Sequence, residues 1–389
     1  MLSMLKYRST HGLPNTVFGA TNRLVASVII VVLVAGLSGC GDDGVGPVDT
    51  TDIGSLTELY GVPGVSVAVI RDFQIDCVEV HGVASRSTQE PVTASTLFQA
   101  ASISKPVSAV AALRFVQEGK LALDTDINDY LTSWQVPENE FTASEKVTLR
   151  RLLSHTAGTT VHGFRGYRYT ESVPTLIQVL NGAPPANSAP IVVDYTPGSD
   201  SRYSGGGYIV MQQALIDIEA TTFPEIMSGT VLQPIGMTNS TFEQPLPELQ
   251  LESASAGHYS NGQVVPGDHH VYPEMAAAGL WTTPRDLARF LIELQLSLQG
   301  QSNQVLDQEL VELMLTEVSG GFGLGFAVWS NRGEPYFGHG GANEGYRCFM
   351  LAHRSLGFGV VVMTNSDNGS DLADAVIELI GEREGWPGY

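Results

Sequence analysis

The sequence predicts a mixed α/β fold in which strands from both ends of the folded part form one five-stranded sheet. Two strand-like runs, residues 64–70 (G-V-S-V-A-V-I) and 75–82 (I-D-C-V-E-V-H-G), flank a short polar turn near its beginning. Three more strand-like runs lie near its end, around Tyr336, at 346–352 and at 358–364. The residues between the two groups are mostly helix and loop, which indicates a helical region inserted between the strands.

Apolar periodicity and helix-terminating residues predict the helices that accompany this sheet. Residues 102–118 are rich in alanine and valine and are followed by Gly119, which indicates a buried helix ended by glycine. Residues 284–298 begin with proline and carry apolar side chains at helical spacing, and residues 371–380 form a last helix. We therefore expect one domain over residues 54–385, with a sheet part at about 60–105 and 275–385 and a helical part at about 106–270.

Composition limits the partners of the protein. Its 389 residues, 43% of them apolar, are enough to bury a large core. The formal net charge is −21, from 20 lysines and arginines against 41 aspartates and glutamates. Such a surface repels nucleic acid and anionic lipid headgroups, so we expect no nucleic-acid partner. A solvated acidic surface is the expected explanation of the charge, and a patch for a cationic partner is the alternative.

The first forty residues are typical of an export signal. Lys6, Arg8 and Arg23 precede an apolar run at 24–37, which is too short to span a bilayer comfortably but suits the core of a signal peptide. The run ends in L-S-G-C, which resembles the lipobox of bacterial lipoproteins. In that motif the cysteine, here Cys40, is lipidated and the signal is removed before it.

This resemblance implies a signal peptide over 1–39 and a flexible polar tether over 40–53. It also implies a membrane partner, because the acyl chains on Cys40 would anchor the protein in the bacterial cell envelope. The protein would face the periplasm, with the outer membrane favoured, or the cell exterior. An ordinary signal peptide or a membrane anchor with a chance cysteine is the alternative.

The remaining cysteines do not indicate a metal site. No C-x-x-C pair and no Cys/His ligand spacing is present, so we expect no metal and no zinc in particular. Cys77 and Cys348 both lie in strand-like runs, where buried free thiols are the expected state. A disulfide between them in an oxidising compartment is the alternative.

The string S-I-S-K provides a nucleophile and a base. Ser102 and Lys105 are three residues apart and would lie on one face of a helix. At a helix N-terminus, the backbone N–H of Ser102 would point into the site and could bind an oxyanion. The lysine amine could take the serine proton, provided that burial or nearby positive charge lowers its pKa.

Further strings, in a fixed order, give this pair its context. They are F-Q-A-A-S-I-S-K (98–105), L-L-S-H-T-A-G (152–158), R-Y-S-G-G-G-Y (202–208), A-G-L-W-T-T-P-R-D-L-A-R-F (278–290) and G-H-G-G (338–341). Together they resemble the serine β-lactamase and penicillin-binding-protein superfamily, most closely its class C-like branch, which includes D-Ala-D-Ala carboxypeptidases, D-aminopeptidases and family VIII-type esterases. The resemblance runs from about residue 54 to 380 and implies an antiparallel sheet flanked by helices.

The resemblance implies a role for each matching residue. Ser102 is the acylated nucleophile, Lys105 its base partner, and Tyr203 a proton shuttle whose phenolate would need a nearby cation such as Lys105. His339 begins the third motif, in the substrate-binding stretch that continues through Gly340 and Gly341. Ala342 would offer the second oxyanion N–H, opposite that of Ser102.

Two positions depart from the family pattern. Gly205 stands where lactamases and peptidases carry an asparagine that holds the substrate's amide side chain, so its presence disfavours specific β-lactam or peptide recognition. His339 stands where lactamases usually carry lysine. A histidine there can orient a carboxylate or hydrogen-bond Tyr203, but its charge depends on pH.

Other residues give weaker signals. His155 suggests a Ser-His-Asp triad, but its string is a structural one in the family, and no G-x-S-x-G elbow is present. Metal binding by Asp268, His269 and His270 is less expected than a merely polar loop. Cleft-lining and core positions are equally expected for the aromatic residues Tyr167, Tyr169 and Trp281.

These observations predict an envelope-anchored serine hydrolase that forms an acyl-enzyme with a small ester or amide and needs no cofactor. An esterase is favoured because Gly205 removes the amide contact. A D-alanyl-D-alanine carboxypeptidase or D-aminopeptidase acting on a peptidoglycan-derived substrate is second, and a β-lactamase is third. An inactive envelope protein that binds a peptidoglycan or lipid ligand is a hypothesis of a different class, against which Ser102, Lys105 and Tyr203 argue.

Overall fold

A six-stranded antiparallel sheet forms the centre of the structure, a computed structural model that describes residues 52–389. The predictions for the signal peptide, Cys40 and most of the tether lie outside the described residues. The strands of this sheet are β1 (Gly64–Arg71), β2 (Gln74–Gly82), β5 (Ala327–Asn331), β6 (Glu334–Asn343), β7 (Tyr346–His353) and β8 (Gly359–Thr364). Two short strands, β3 (Phe98–Gln99) and β4 (Trp281–Thr282), pair separately.

The strand order, β2-β1-β8-β7-β6-β5, confirms that the sheet is built from both ends of the described chain. The predicted number of five strands was wrong, because β5 adds a sixth at the edge. This strand has five residues and is only partly buried. It therefore lacks the apolar alternation that marks a strand in sequence.

Apolar side chains on opposite faces of the sheet enter two separate cores. On β1, Val65, Val67 and Val69 belong to one core, whereas Ala68 and Ile70 belong to the other. Successive side chains of a strand point to opposite faces, so a strand covered on both sides must be apolar throughout. This requirement explains why β1 and β8 read as nearly continuous apolar runs.

Helices cover both faces of the sheet and fill the inserted region. The smaller core lies under α1 and α11, and the larger core extends from α9 into the inserted helices. Within residues 52–389, no helix combines the length and apolar character needed to cross a bilayer. The helices are α1 (Ile53–Leu59), α2 (Ser104–Gln117), α3 (Leu149–Leu153), α4 (Leu176–Asn181), α5 (Gly205–Glu219), α6 (Phe223–Met227), α7 (Glu248–Leu251), α8 (Met275–Ala278), α9 (Pro284–Leu298), α10 (Gln308–Met314) and α11 (Gly369–Arg383).

The helix boundaries follow the local signals in the sequence. Thr283 caps α9 by accepting a hydrogen bond from the backbone N–H of Asp286, and the helix begins at the predicted proline. Gly119 follows α2 with a φ of +70°, a conformation that favours glycine. The domain continues beyond residue 385, because the buried Trp386 ring stacks on Phe358 with 4.8 Å between ring centroids.

The structure excludes the disulfide between Cys77 and Cys348. Cys348 is a buried free thiol on β7, as expected, and burial raises its pKa to about 12. Cys77 is half-buried on β2, three strands away in the order of the sheet, and it is disulfide-bonded, so the expectation of a free thiol was wrong there. Adjacent strands lie about 4.8 Å apart, so the two residues are separated by roughly 14 Å, beyond the reach of a disulfide.

Candidate active site

The site begins at the turn that joins β3 to α2. β3 pairs with β4, and the chain then makes a 3-10 turn over Ala101–Ile103 that leads into α2. This turn presents Ser102 at a partly exposed position, whereas Lys105 lies one turn later and is buried. N–H groups at the start of a helix lack partners within the helix, so the serine sits where an anion would be stabilised.

Lys105 is held against Ser102 as a buried amine. Its Nζ lies 3.0 Å from Ser102 Oγ and donates to the Ala277 carbonyl at 2.8 Å. Its side chain is 2% exposed, and burial lowers its pKa from 10.5 to about 7. A substantial fraction of the amine is therefore uncharged at neutral pH and can accept the serine proton.

The backbone immediately before Ser102 is strained. Ala101 has a φ of +50°, in the left-handed region that alanine rarely adopts. Ser104 stabilises this turn, because its hydroxyl donates to the Ala101 carbonyl at 2.5 Å and accepts from the Leu280 N–H at 3.0 Å. The surrounding structure thus maintains an unfavourable conformation at the point where Ser102 is presented.

Tyr203 lies beside the same amine, just before α5. The capping residue of α5, Ser204, accepts a hydrogen bond from the Gly207 N–H, which fixes the entry of the chain into that helix. Lys105 Nζ lies 4.8 Å from the centroid of the Tyr203 ring. Burial raises the pKa of the phenol well above its ordinary value, although interaction with the Ser102 side chain opposes the rise. Tyr203 is therefore a neutral proton donor at pH 7 and not a resident phenolate.

His339 completes the group from β6. Its ring centroid lies 6.0 Å from that of Tyr203, and its Nδ1–H donates to the Gly340 carbonyl at 2.6 Å. Burial, together with the nearby Lys105, lowers the pKa of His339 to about 3. His339 is therefore a neutral imidazole and supplies no positive charge to a substrate.

The glycines of G-H-G-G let β6 approach the nucleophile turn closely. A Cβ atom at Gly341 would overlap the Ala100 carbonyl oxygen and would lie 2.6 Å from Cys348 Sγ. The Cys348 thiol also donates to the Ala100 carbonyl at 3.1 Å. Ala342, the next residue on β6, is exposed and pairs with Arg347 of β7. Gly341 is therefore required for β6 to lie beside the turn that carries Ser102.

Gly205 faces an aromatic ring. A Cβ atom at Gly205 would lie 3.0 Å from Phe164 Cε2 and 3.3 Å from the His162 carbonyl oxygen. The Gly205 N–H donates to that same carbonyl at 3.0 Å. The loop of residues 162–164 therefore covers the position at which the family pattern places an amide side chain.

The geometry argues against His155 as the histidine of a triad. Its ring lies 4.3 Å from that of Tyr203, but the Ser204 N–H donates to its Nδ1 at 3.2 Å. That nitrogen is the one to which the carboxylate of a Ser-His-Asp triad would bind. His155 is buried, and desolvation lowers its pKa well below the ordinary value. It packs under Tyr203 as a neutral ring.

The other candidate residues lie apart from this group. Tyr167 and Trp281 are buried in the core, whereas Tyr169 is 67% exposed. His269 packs edge-on against Trp281, and the His270 ring bonds the Arg165 carbonyl. In the described part of the chain, no group of three or more His, Cys, Asp or Glu side chains is arranged to hold a metal ion.

Sequence reasoning missed several residues of the site. His162 donates from Nδ1 to the Tyr203 carbonyl at 3.0 Å, and Phe322 lies 5.9 Å from the Tyr203 ring. Ala277 supplies the carbonyl that holds Lys105. None carries a motif of its own, since each acts through its backbone or its position in the fold.

The depressed pKa of Lys105 predicts the pH dependence of serine acylation. Below pH 7 the amine is protonated and cannot take the serine proton, so labelling by a fluorophosphonate should increase about tenfold per pH unit up to that point. The rate is to be measured from pH 5 upward, with Lys105→Gln as the unreactive control. A rate that keeps rising tenfold per unit through pH 9 would show an ordinary lysine and contradict the assignment.

The close approach at Gly341 predicts a second effect. Gly341→Ala should push β6 away from the Ala100 carbonyl and slow labelling of Ser102 by at least about tenfold. Gly229→Ala is the matched control, because a Cβ atom there also meets nothing within 4 Å and the residue lies outside the site. If circular dichroism shows that both variants are folded and both label at the same rate, the close approach of β6 is not required for the reaction of Ser102.

Known proteins are similar to this chain over most of its length. The family model described as Beta-lactamase matches residues 52–382. "Penicillin-binding protein 4" of Amycolatopsis lactamdurans is 26% identical over 349 residues, covering 85% of this chain and 88% of that protein.

Solved structures show the same fold. A D-amino acid amidase from Ochrobactrum anthropi SV3 superposes with a TM-score of 0.68 at 21% identity, covering 85% of this chain and 98% of that one. A D-alanine carboxypeptidase from Burkholderia cenocepacia superposes with a TM-score of 0.63 at 19% identity, covering 84% of this chain and 96% of that one.

The assignment to a class C-like branch stays a prediction. The chain belongs to the β-lactamase family of serine hydrolases.

Proposed function

We propose that this protein is an esterase that hydrolyses small neutral esters through an acyl-enzyme on Ser102. The observation that carries the proposal is the contact of 3.0 Å between Lys105 Nζ and Ser102 Oγ, made by a buried amine whose pKa is lowered to about 7. A base with a pKa near the working pH is the efficient one for removing a serine proton.

In the proposed acylation, Ser102 Oγ attacks the ester carbonyl carbon and its proton passes to Lys105. The N–H groups of Ser102 and Ala342 hold the developing oxyanion. The carbonyl re-forms as the bond to the leaving alkoxide breaks. Tyr203 donates its phenolic proton to that alkoxide and then takes a proton from Lys105. In deacylation, water follows the same route in reverse, which yields the acid and restores Ser102.

The charge state of the site supports an ester over a carboxylate-bearing peptide. Recognition of a terminal carboxylate calls for a cation, but the pKa of His339 is lowered to about 3, so its ring is neutral. Gly205 has no side chain to bind an acyl amide, and the Phe164 ring covers that position. A neutral ester requires neither contact.

Amide hydrolysis is the second candidate, as a D-alanyl-D-alanine carboxypeptidase or D-amino acid peptidase. The fold shared with a D-amino acid amidase and a D-alanine carboxypeptidase favours it, because almost the full length of each is covered. A β-lactamase ranks third, since Gly205 removes the amide contact.

A substrate panel separates these activities. The panel consists of p-nitrophenyl esters, nitrocefin and D-Ala-D-Ala peptides, each tested on the wild type and on Ser102→Ala. We expect ester turnover to exceed peptide and nitrocefin turnover, and Ser102→Ala to lose several orders of magnitude because it cannot form the acyl-enzyme. Peptide turnover above ester turnover at pH 7 would overturn the ester assignment, and a tenth of wild-type activity in Ser102→Ala would overturn the mechanism.

His339→Lys sharpens this test. A fixed positive charge should help a substrate with a free carboxylate and do little for a neutral ester. If the wild type hydrolyses D-Ala peptides and the lysine variant improves that activity at pH 8 without improving ester turnover, the site is built for a carboxylate and the amide candidate replaces the ester.

We also propose that the enzyme is held in the cell envelope by lipid on Cys40, as the L-S-G-C string suggests. Cys40→Ser should prevent acylation and move the protein from the detergent phase to the aqueous phase, or leave it as the uncleaved precursor. Incorporation of a labelled fatty acid is the direct measurement, with Cys348→Ser as the control. Unchanged partitioning of Cys40→Ser would indicate a different anchor.

A further inference from the structure

Glu274 is a buried acid that the proposed reaction does not use. It lies directly before α8 and is 0% exposed. Neither of its carboxyl oxygens makes a hydrogen bond of good geometry within the described part of the chain, and the side chain that interacts with it is the Tyr167 phenol. No cation among residues 52–389 forms an ion pair with it. Burial of a charged carboxylate without a partner is strongly unfavourable, so the site suits the uncharged acid.

The segment that follows Glu274 holds the catalytic base. The Glu274 carbonyl accepts from the N–H groups of Ala277 and Ala278, which closes the short turn of α8. The Ala277 carbonyl then accepts from Lys105 Nζ at 2.8 Å, and the Ala278 carbonyl accepts from Asn343 at 3.1 Å. Two consecutive carbonyls of α8 therefore fix Lys105 and the end of β6.

A neutral side chain also holds the start of α8. Gln212 of α5 donates to the Pro273 carbonyl at 3.3 Å and accepts from the Ala276 N–H at 2.9 Å. Glu274 itself packs toward the loop that carries Tyr167. The segment that forms α8 thus contacts the Gln212 amide and begins at the buried Glu274 carboxyl group, and only the carboxyl group can change its charge.

We propose that uncharged Glu274 is a positioning residue that keeps α8 against Lys105, and that ionisation of its carboxyl group displaces α8 and inactivates the base. The proposal rests on the proposed function, because it takes Lys105 as the base for Ser102. It goes beyond that function because it attributes the loss of activity at alkaline pH to a residue that takes no part in the reaction.

The groups facing Glu274 cannot neutralise its anion. Tyr167 and Tyr272 are phenols whose pKa values burial raises, to about 12 for Tyr167, so both stay neutral. Interaction with the Tyr167 phenol favours the anion of Glu274, but the opposing effect of burial is larger. Lys105, from α2, is fixed to Ser102 and Ala277. Burial raises the pKa of Glu274 to about 8, so the uncharged form present at pH 7 is lost as the pH rises through that value.

The sign of the effect on stability follows from the same shift. The carboxyl pKa is raised in the folded state from its ordinary 4.5, so the contribution of Glu274 to the free energy of unfolding is greatest below pH 4.5 and is lost as the pH rises through about 8. The consequence for activity is a narrow pH profile. Lys105 sets its rising limb near pH 7, and Glu274 sets its falling limb near pH 8.

Glu274→Gln tests the proposal, because glutamine keeps the shape of the side chain and stays neutral. We expect the rate of fluorophosphonate labelling at pH 7 to stay within about twofold of the wild type, and the falling limb to disappear, which gives at least a tenfold higher rate than the wild type at pH 9.5. Glu274→Asp keeps a titratable group and should keep the falling limb. Glu293→Gln is the matched control, since Glu293 is also buried but accepts hydrogen bonds from Ser302 and Gln304.

Two outcomes would overturn the proposal. One is a falling limb that persists in Glu274→Gln with both proteins folded by circular dichroism across the range. The other is an infrared difference spectrum, wild type minus Glu274→Gln at pH 6, that lacks the carbonyl band of a protonated carboxyl group. The infrared measurement needs no activity, and loss of labelling in the wild type at every pH would instead contradict the proposed function.

Discussion

The removal of one lysine amine from water is the constraint on which this site depends. Lys105 is buried between Ser102 Oγ and the Ala277 carbonyl, with the rings of Tyr203 and Tyr208 at 4.8 and 5.7 Å from its Nζ. Lowering its pKa from 10.5 to about 7 disfavours the ammonium form by on the order of 5 kcal/mol. Only a rigid surrounding can maintain such a group, because water would readily restore the charge. The strained turn at Ala101 and the carbonyls of α8 belong to that surrounding.

The neighbours of this amine are uncharged for the same physical reason. Burial keeps His339 a neutral imidazole and Tyr203 a neutral phenol at pH 7. Burial also favours the uncharged acid at Glu274, which precedes the α8 carbonyl that accepts from Lys105. A carboxylate beside Lys105 would raise its pKa and leave less of the amine uncharged at pH 7. The surroundings of Lys105 therefore carry little fixed charge, which supports the proposal of a neutral ester substrate. The overall negative charge of the protein therefore says little about its active site.

The sequence anticipated the fold, and it anticipated that Ser102, Lys105 and Tyr203 lie together, because each has a local signature. Apolar runs mark β1 and β8, and Ser102 and Lys105 are one helical turn apart. It missed β5, whose exposed edge position requires no apolar pattern, and it overestimated the need for a phenolate at Tyr203. It also missed Phe164, Ala277 and Glu274, because their roles come from tertiary packing. The charge state of His339 depends on burial, and burial is a property of the fold rather than of the motif.

The most direct measurement of the central claim is the pKa of Lys105 itself. The chain has only four lysines, so ¹³C labelling at the lysine Cε gives a simple NMR spectrum, and Lys105→Arg identifies its resonance. The account predicts one resonance that titrates near pH 7, while those of Lys120 and Lys146, whose pKa values ion pairs raise, stay unchanged to beyond pH 10. A Lys105 resonance that titrates above pH 10 would show a charged amine and contradict the account.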